Sequence, residues 1–192
     1  MLIVFDLMDT LLVDPFQAAH EAACGMPFDR FEQSRPDGLY HRLERGEITE
    51  DDYWAGLTNS GLPWNSQNFH RMRRAGYAWI DGMRELVADC VAAHPVAIGS
   101  NYPDWIDEVV DDHLTGLDVA VFASCRLGVR KPAPEFFERL ATKAGVAVTD
   151  LVLVDDKRIN TEAVEELGGT GVHFTNAADA RAALRTAGVA GV

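Results

Sequence analysis

Positive charge is scarce in this chain. Seventeen Lys and Arg stand against 30 Asp and Glu, for a formal net charge of −13 with His neutral. That balance disfavours nucleic acid or an acidic membrane surface as a partner. Cysteine is scarce too: Cys24, Cys90 and Cys125 are an odd number at wide spacing. They form no metal pattern and no disulfide framework, which fits a reducing cytosol. No apolar run approaches the ~20 residues of a membrane span. Met1 to Phe5 is too short for a signal-peptide apolar region, so the expected location is cytoplasmic. Repeats and low-complexity tracts are absent. What is present is apolar mass. With 47% of 192 residues hydrophobic, the chain can bury one sizeable core, and one domain with an insertion is the default reading.

The stretch that organises the rest is Leu2-Ile3-Val4-Phe5-Asp6-Leu7-Met8-Asp9-Thr10. An apolar run with the length of a buried strand ends on a carboxylate, and a polar turn follows. An α/β sheet presents its functional groups at the carboxyl ends of its strands in this way. Two later pieces repeat the arrangement: Gly99-Ser100-Asn101 after Val96-Ala97-Ile98, and Asp155-Asp156 after Leu151-Val152-Leu153-Val154. A third, Arg130-Lys131-Pro132, lies in a polar loop just before a helix.

From Asp14 to about Ile80 the pattern is helices and loops. Asp14-Pro15 reads as N-cap and N1 of a helix that stops at Gly25. Leu39, Tyr40 and Leu43 make a helical stripe ending at Gly46, and Thr49 to Asp52 resembles a capping box between Ile48 and Tyr53. Phe69, Met72 and Trp79 suggest a further helix. The stretch is too long for a simple crossover, which needs about a dozen residues, so residues 14–80 are expected to form an inserted helical cap. From Asp81 helices alternate with strands at Val96–Ile98, Val119–Phe122, Leu151–Val154 and Gly171–Phe174. Pro103 and Pro134 are each placed at the start of a helix. The expected core, 1–13 with 81–192, is a parallel, doubly wound sheet with right-handed crossovers.

A phosphate monoester repels nucleophiles, so cleaving one takes a nucleophile, a cation and donors for the phosphoryl oxygens. Asp6 is placed as nucleophile. Asp6 with Asp155 and Asp156 makes an oxygen-rich site suited to Mg²⁺, to which a backbone carbonyl near Met8 adds a ligand. Ser100 donates to a phosphoryl oxygen, and Lys131 is a point charge for both phosphate and Asp6. Each piece alone has an ordinary reading as a turn, a loop pair or a helix cap. Their joint occurrence, each beside a strand or crossover, favours a site.

These segments resemble the haloacid dehalogenase-like (HAD) hydrolase superfamily over essentially the whole chain. Phe5-Asp6-Leu7-Met8-Asp9-Thr10-Leu11 is similar to its first motif and Gly99-Ser100-Asn101 to its second. Lys131 to Phe137 is similar to the third, and Val154 to Asn160 to the fourth. The resemblance implies a Rossmann-like core with a helical cap and Mg²⁺-dependent phosphoryl transfer through an aspartyl-phosphate. It extends the expected phosphate contacts to Met8, Thr10 and Asn101. Asp14-Pro15-Phe16, Gly76-Tyr77 and Ser100-Asn101-Tyr102-Pro103 look most like a plant and bacterial subgroup that includes flavin mononucleotide hydrolases. One departure stands out. Most phosphatases of the family carry an acid–base Asp two residues after the nucleophile, where this chain has Met8. Either Asp9 turns inward, or a cap residue supplies the proton, or the leaving group needs little protonation.

The leading expectation is thus a Mg²⁺-dependent phosphatase acting on a small phosphomonoester, with a flavin mononucleotide-like compound as a candidate. A metal-independent dehalogenase-type hydrolase is the second reading, against which the Asp155-Asp156 pair argues. A catalytically weakened binding protein is the third, and Met8 favours it. Arg71, Arg73 and Arg74 make a local basic patch that either meets a substrate anion or forms a solvated helix face. Tyr53, Trp54, Tyr77 and Trp79 are candidates for stacking on a planar substrate, with cap packing the more ordinary role.

Overall fold

The computed structural model describes residues 1–192. Five strands form one parallel sheet: β1 (Leu2–Phe5), β2 (Val96–Ser100), β3 (Ala120–Ala123), β4 (Leu151–Asp155) and β5 (Thr170–His173). Their spatial order is β3-β2-β1-β4-β5. β1 is central, with Phe5 in register with Ile98 on one side and Val154 on the other. The chain winds outward from β1 through β2 to β3, then returns to place β4 on the opposite side of β1. The strand order therefore reverses between β1 and β4, and a crevice opens there at the carboxyl ends of the strands. Asp6 and Asp155 stand at that crevice.

Both faces of the sheet are covered, which is why all four residues of β1 are apolar and buried. Alternate residues serve different cores. Ile3 and Phe5 join Ile98, Val152 and Val154 in the larger cluster, while Leu2 and Val4 join Ala97, Leu151 and Leu153 in the smaller one. Gly99 shows how closely the smaller face packs. A Cβ there would sit 2.8 Å from Val4 Cγ1 and 3.2 Å from Leu140 Cδ1, so this strand position excludes a side chain.

Between β1 and the rest of the sheet run α1 (Phe16–Cys24), α2 (Phe28–Ser34), α3 (Leu39–Glu44), α4 (Glu50–Asn59) and α5 (Ser66–Gly76). Next come α6 (Met83–Ala93), α7 (Ile106–Val109) running into a π-helical turn at Val110–Leu114, and α8 (Ser124–Leu127). α9 (Pro134–Ala144), α10 (Arg158–Glu166) and α11 (Ala177–Thr186) complete the fold. α6 and α11 cover the larger-cluster face through Leu86, Val87 and Leu184, and α9 and α10 cover the other through Phe136, Leu140 and Val164. The larger cluster continues into the first five helices through Ala19, Phe31, Leu43, Tyr53 and Phe69.

Local signals mark most boundaries. Thr49 and Asp52 form a reciprocal capping box at the start of α4, with an Asp in place of the usual Glu. Pro134 opens α9, and Gly145 closes it with φ 73°. Three expectations shift. α1 begins at Phe16 rather than Pro15, although Asp14 Oδ1 does accept the Phe16 N–H at 2.9 Å. The helix after Pro103 begins at Ile106, because Pro103 spends its carbonyl on a turn closed by the Ile106 N–H at 3.0 Å. Trp79 is not helical. α5 ends at Gly76, and Trp79 bridges to Leu12 instead. Val13 N–H donates to Ala78 O and Ile80 N–H to Leu11 O, each at 2.9 Å, so the two chain crossings into and out of the helical insertion are laced side by side.

Candidate active site

The end of β1 delivers Asp6 to the crevice, where its N–H is still held by Val154 O at 2.8 Å. The end of β4 delivers Asp155. Between them lies Lys131, whose Nζ is 2.9 Å from Asp6 Oδ1 and 2.6 Å from Asp155 Oδ2. All three side chains are buried. Burial pushes Asp6 up to about 7. Lys131 opposes this, while Asp155 and Asp156 add to it. Burial disfavours the Lys131 ammonium too, but Asp6 and Asp155 outweigh it, so the amine stays charged. Burial, reinforced by Asp155, likewise raises Asp156, against the pull of Lys157.

That crowding is what a cation relieves. Asp6, Asp155 and Asp156 each offer a carboxylate oxygen, and all three lie within 4.8 Å of one another. The two neighbouring acids are not equivalent. Asp155 is saturated: Oδ2 takes Lys131, and Oδ1 takes the Lys157 N–H at 2.9 Å and Asn160 Nδ2 at 2.8 Å. Asp156 Oδ1 is buried with no partner. The Met8 carbonyl accepts no main-chain hydrogen bond. An unpartnered carboxylate oxygen, a free carbonyl and a second carboxylate are the hard oxygen donors that suit Mg²⁺.

The remaining expected residues divide. Ser100, at the end of β2, lines the cavity that Asp6, Met8 and Lys131 line. Asn101 reaches the same cavity, and both its polar atoms bond the Lys131 main chain. Its Nδ2 donates to Lys131 O and its Oδ1 accepts the Lys131 N–H. It therefore positions the lysine, and the second N–H of its Nδ2 is the donor left for the expected phosphate contact. Thr10 is fully buried and its Oγ1 accepts the Asp156 N–H at 3.1 Å, so it too supports the site from beneath. Asp9 does not turn inward. It sits at φ 57°, exposed and outside that cavity, with Oδ1 accepting the Asp14 N–H at 3.1 Å. One residue of slip from position 8 reverses where a side chain points.

The basic patch divides: Arg71 stays on the exposed face of α5, where it donates to Asn68 Oδ1 at 3.2 Å, while Arg73 and Arg74 turn to α7. Arg73 is 2% exposed. Its Nη2 lies 2.5 Å from Glu108 Oε2, its Nη1 donates to Tyr77 Oη at 3.2 Å, and its guanidinium stacks over Trp105. Arg74 holds the same carboxylate at 2.8 Å, which ties α5 to α7. Of the four aromatic candidates, none lines the cavity. Trp54 stacks between Trp64 and Trp105, and Tyr53 is fully buried against His20.

The cavity has a volume of about 350 Å³. Besides the motif residues its wall includes Asp14, Phe16, Arg35, Tyr40, Glu44 and Arg130. Asp14, Phe16, Tyr40 and Arg130 lie in the caps, stripes and motifs of the sequence but had no expected role at the site, and Arg35 and Glu44 lie in none of them. Tyr40 and Glu44 are one helical turn apart on α3, and a buried acid on that stripe was the available signal. Glu44 Oε2 lies 2.9 Å from Arg130 Nε, yet burial outweighs that cation and lifts the carboxyl to about 7.

No family model matches the chain. It is 30% identical over 178 residues to flavin mononucleotide hydrolase 1 of Arabidopsis thaliana, covering 92% of this chain and 73% of that one. It is 28% identical over 143 residues to a sesquiterpene phosphatase of Aspergillus oryzae, covering 71% and 72%. In three dimensions it resembles a HAD family enzyme of Bacteroides thetaiotaomicron in complex with magnesium and inorganic phosphate. There the TM-score is 0.74 at 17% identity, over 91% of this chain and 94% of that one.

Proposed function

The chain belongs to the haloacid dehalogenase-like (HAD) hydrolases, and from that premise we propose that it is a Mg²⁺-dependent phosphatase of small phosphomonoesters. The observation that carries the reading is the placement of Lys131 Nζ at 2.9 Å from Asp6 and 2.6 Å from Asp155, next to the unpartnered Asp156 Oδ1. Asp6 attacks phosphorus and forms an aspartyl-phosphate, which water then hydrolyses. Lys131 holds Asp6 in place and stays charged, so it meets the phosphoryl oxygens as a fixed cation. Ser100, buried at the end of β2, donates its hydroxyl to another of those oxygens. Asp6, Asp156 and the Met8 carbonyl would hold the magnesium ion, with Asp155 bracing Lys131 behind them. When bound, the ion supplies charge neutralisation to the carboxylates and the phosphoryl group.

The substrate body meets Phe16, Tyr40 and Tyr102 on the cavity wall. A space of about 350 Å³ whose wall sets these rings beside Arg35, Glu44 and Arg130 accepts a planar body with polar edges, at the small end of ligand-pocket sizes. Flavin mononucleotide is the first candidate, on the likeness to the plant hydrolase. Residues 14–80 act as the cap that closes over this body. Three unpaired cysteines fit a reducing compartment such as the cytoplasm. The Asp155-Asp156 pair argues against the dehalogenase chemistry that shares this fold, since such chemistry needs no metal.

The test is turnover of p-nitrophenyl phosphate, flavin mononucleotide and a sesquiterpene phosphate, with Mg²⁺ and after chelation. Mg²⁺-dependent release of phosphate that Asp6→Asn abolishes is the expected result. Undiminished turnover in Asp6→Asn, or after chelation, would refute the reading.

A further inference from the structure

A site with Met8 two residues after its nucleophile still has to put a proton on a departing alkoxide. Two other acids share the cavity with Asp6, namely Asp14 and Glu44. Glu44 is committed to Arg130, whose Nε lies 2.9 Å from its Oε2. Asp14 has no such cation. Its Oδ1 accepts the Phe16 N–H at 2.9 Å, and its Oδ2 has no protein partner. Its backbone is fixed as well, by the bond from its N–H to Asp9 Oδ1. Asp14 also lies on the segment that runs from β1 into α1, so one stretch of chain presents both Asp6 and Asp14 to the cavity.

We propose that Asp14 is the general acid–base of this site, in place of the acid that Met8 lacks; the assignment rests on the phosphatase reading above. In the first half-reaction an Asp6 carboxylate oxygen forms a bond to phosphorus, and the bond from phosphorus to the ester oxygen breaks. The ester oxygen keeps that electron pair and takes the proton of the Asp14 carboxylic acid, leaving as an alcohol. In the second half, Asp14 carboxylate takes a proton from water as its oxygen bonds to phosphorus. The bond from phosphorus to Asp6 breaks, Asp6 regains its carboxylate, inorganic phosphate leaves, and Asp14 is again protonated. Burial suits Asp14 to both roles. It lifts the carboxyl to about 6 against the pull of the Phe16 N–H and Lys157, with Asp9 and Asp156 adding to the rise.

The test exploits the bond from the Phe16 N–H to Asp14 Oδ1. Asp14→Asn keeps an oxygen acceptor for the Phe16 N–H while removing the acid. Asp14→Ser keeps a smaller one and serves as the second variant, with thermal midpoints confirming that each is folded. kcat/KM is measured on phosphate esters from p-nitrophenol, through phenol, to a primary alcohol, with Glu44→Gln beside them. Both Asp14 variants should cleave the p-nitrophenyl ester with kcat/KM nearly unchanged and lose ~10²–10⁴-fold on the alkyl ester. With p-nitrophenyl phosphate they should also give a burst of one p-nitrophenol per enzyme, because water attack has lost its base. A loss in the Asp14 variants that is equal for every ester, or no loss, overturns the assignment. So does a steep leaving-group dependence appearing in Glu44→Gln instead. Wild-type protein that releases phosphate from none of the esters overturns the phosphatase reading itself, and this assignment with it.

Discussion

Asn101 grips the main chain of Lys131 on both sides: its Nδ2 donates to Lys131 O at 2.9 Å, and its Oδ1 accepts the Lys131 N–H at 2.7 Å. The grip joins the end of β2 to the loop before α9, and it fixes the lysine whose ammonium bridges Asp6 and Asp155. Asn101→Ala leaves two part-buried backbone groups unpaired, at about 1–3 kcal/mol each. Denaturant unfolding should show a loss of about 2–6 kcal/mol for the two groups together. kcat/KM on p-nitrophenyl phosphate should fall by ~10- to 100-fold, since small misplacements of a catalytic group are costly. Unchanged kinetics in a destabilised variant would show that the grip serves stability alone.

Metal binding should be visible without any assay of turnover. A ligand present at ~100 times its Kd stabilises the folded state by about 2.7 kcal/mol, so Mg²⁺ should raise the melting temperature and EDTA should reverse the rise. Asp156→Asn removes the carboxylate charge behind the unpartnered Oδ1 and should abolish the shift. Without Mg²⁺ it should be at least as stable as wild type, because burial and Asp155 already disfavour that charge. Asp9→Asn keeps an acceptor for the Asp14 N–H, so it should retain the shift and only reduce turnover. A full Mg²⁺ shift in Asp156→Asn would remove Asp156 from the site.

The strand-end carboxylates were legible because a doubly covered parallel strand must be an apolar run, and the run stops where the crevice begins. Leu2–Phe5 before Asp6 and Leu151–Val154 before Asp155 both show this. Lys131 lies in a loop, where no apolar run marks it, and its place just before a helix together with its likeness to a family motif picked it out. Trp79 was misplaced because the spacing from Phe69 and Met72 suggests a helix, whereas its bridging partner Leu12 lies far back in the chain. Thr10 holds a group 146 positions away, and no local pattern encodes that. Asp14 and Glu44 follow the same logic. Capping rules and helical stripes describe one segment at a time, and which face of α3 looks into the cavity is fixed only when the insertion docks.

Docking of that insertion depends on acid-sensitive contacts. Hydrogen bonds from Arg74 and then Arg73 hold Glu108 down to about 2, against a smaller opposing effect of burial. A carboxyl whose folded pKa lies below its unfolded value adds stability above about pH 4.5. That stability is lost as pH falls through about 2. Solvent reaches 43% of the Glu108 side chain, so screening keeps the effect modest. Urea unfolding at steps from pH 6 to pH 2 should therefore show a shallower acid limb in Glu108→Gln than in wild type. At pH 7 the variant should be less stable, since Arg73, 2% exposed, loses its carboxylate partner. Parallel curves would mean that the pair contributes nothing to the acid limb.

A second acid response, from another residue, starts at higher pH. His20 is fully buried among the aromatic rings of the insertion. Its Nδ1 lies 2.7 Å from Phe16 O, which can only accept, so Nδ1 carries the proton. Nε2 is left to accept from Tyr53 Oη at 3.1 Å. Protonating Nε2 would break that bond and bury a charge. Burial accordingly lowers the ring to about 3, with Arg35 adding to the effect and the Phe16 carbonyl opposing it. The unfolded chain takes up its proton near pH 6.5 and the folded one only near 3, so stability falls as pH drops through that window. The slope approaches ~1.4 kcal/mol per pH unit from this one residue. His20→Gln keeps a donor for Phe16 O, so it should be less stable than wild type at pH 7.5 but lose less between pH 6.5 and 4. Equal losses in the two proteins would mean that His20 titrates normally. Because His20 joins α1 to α4, hydrogen exchange at pH 5 should accelerate in those two helices before it does in β1 and β4.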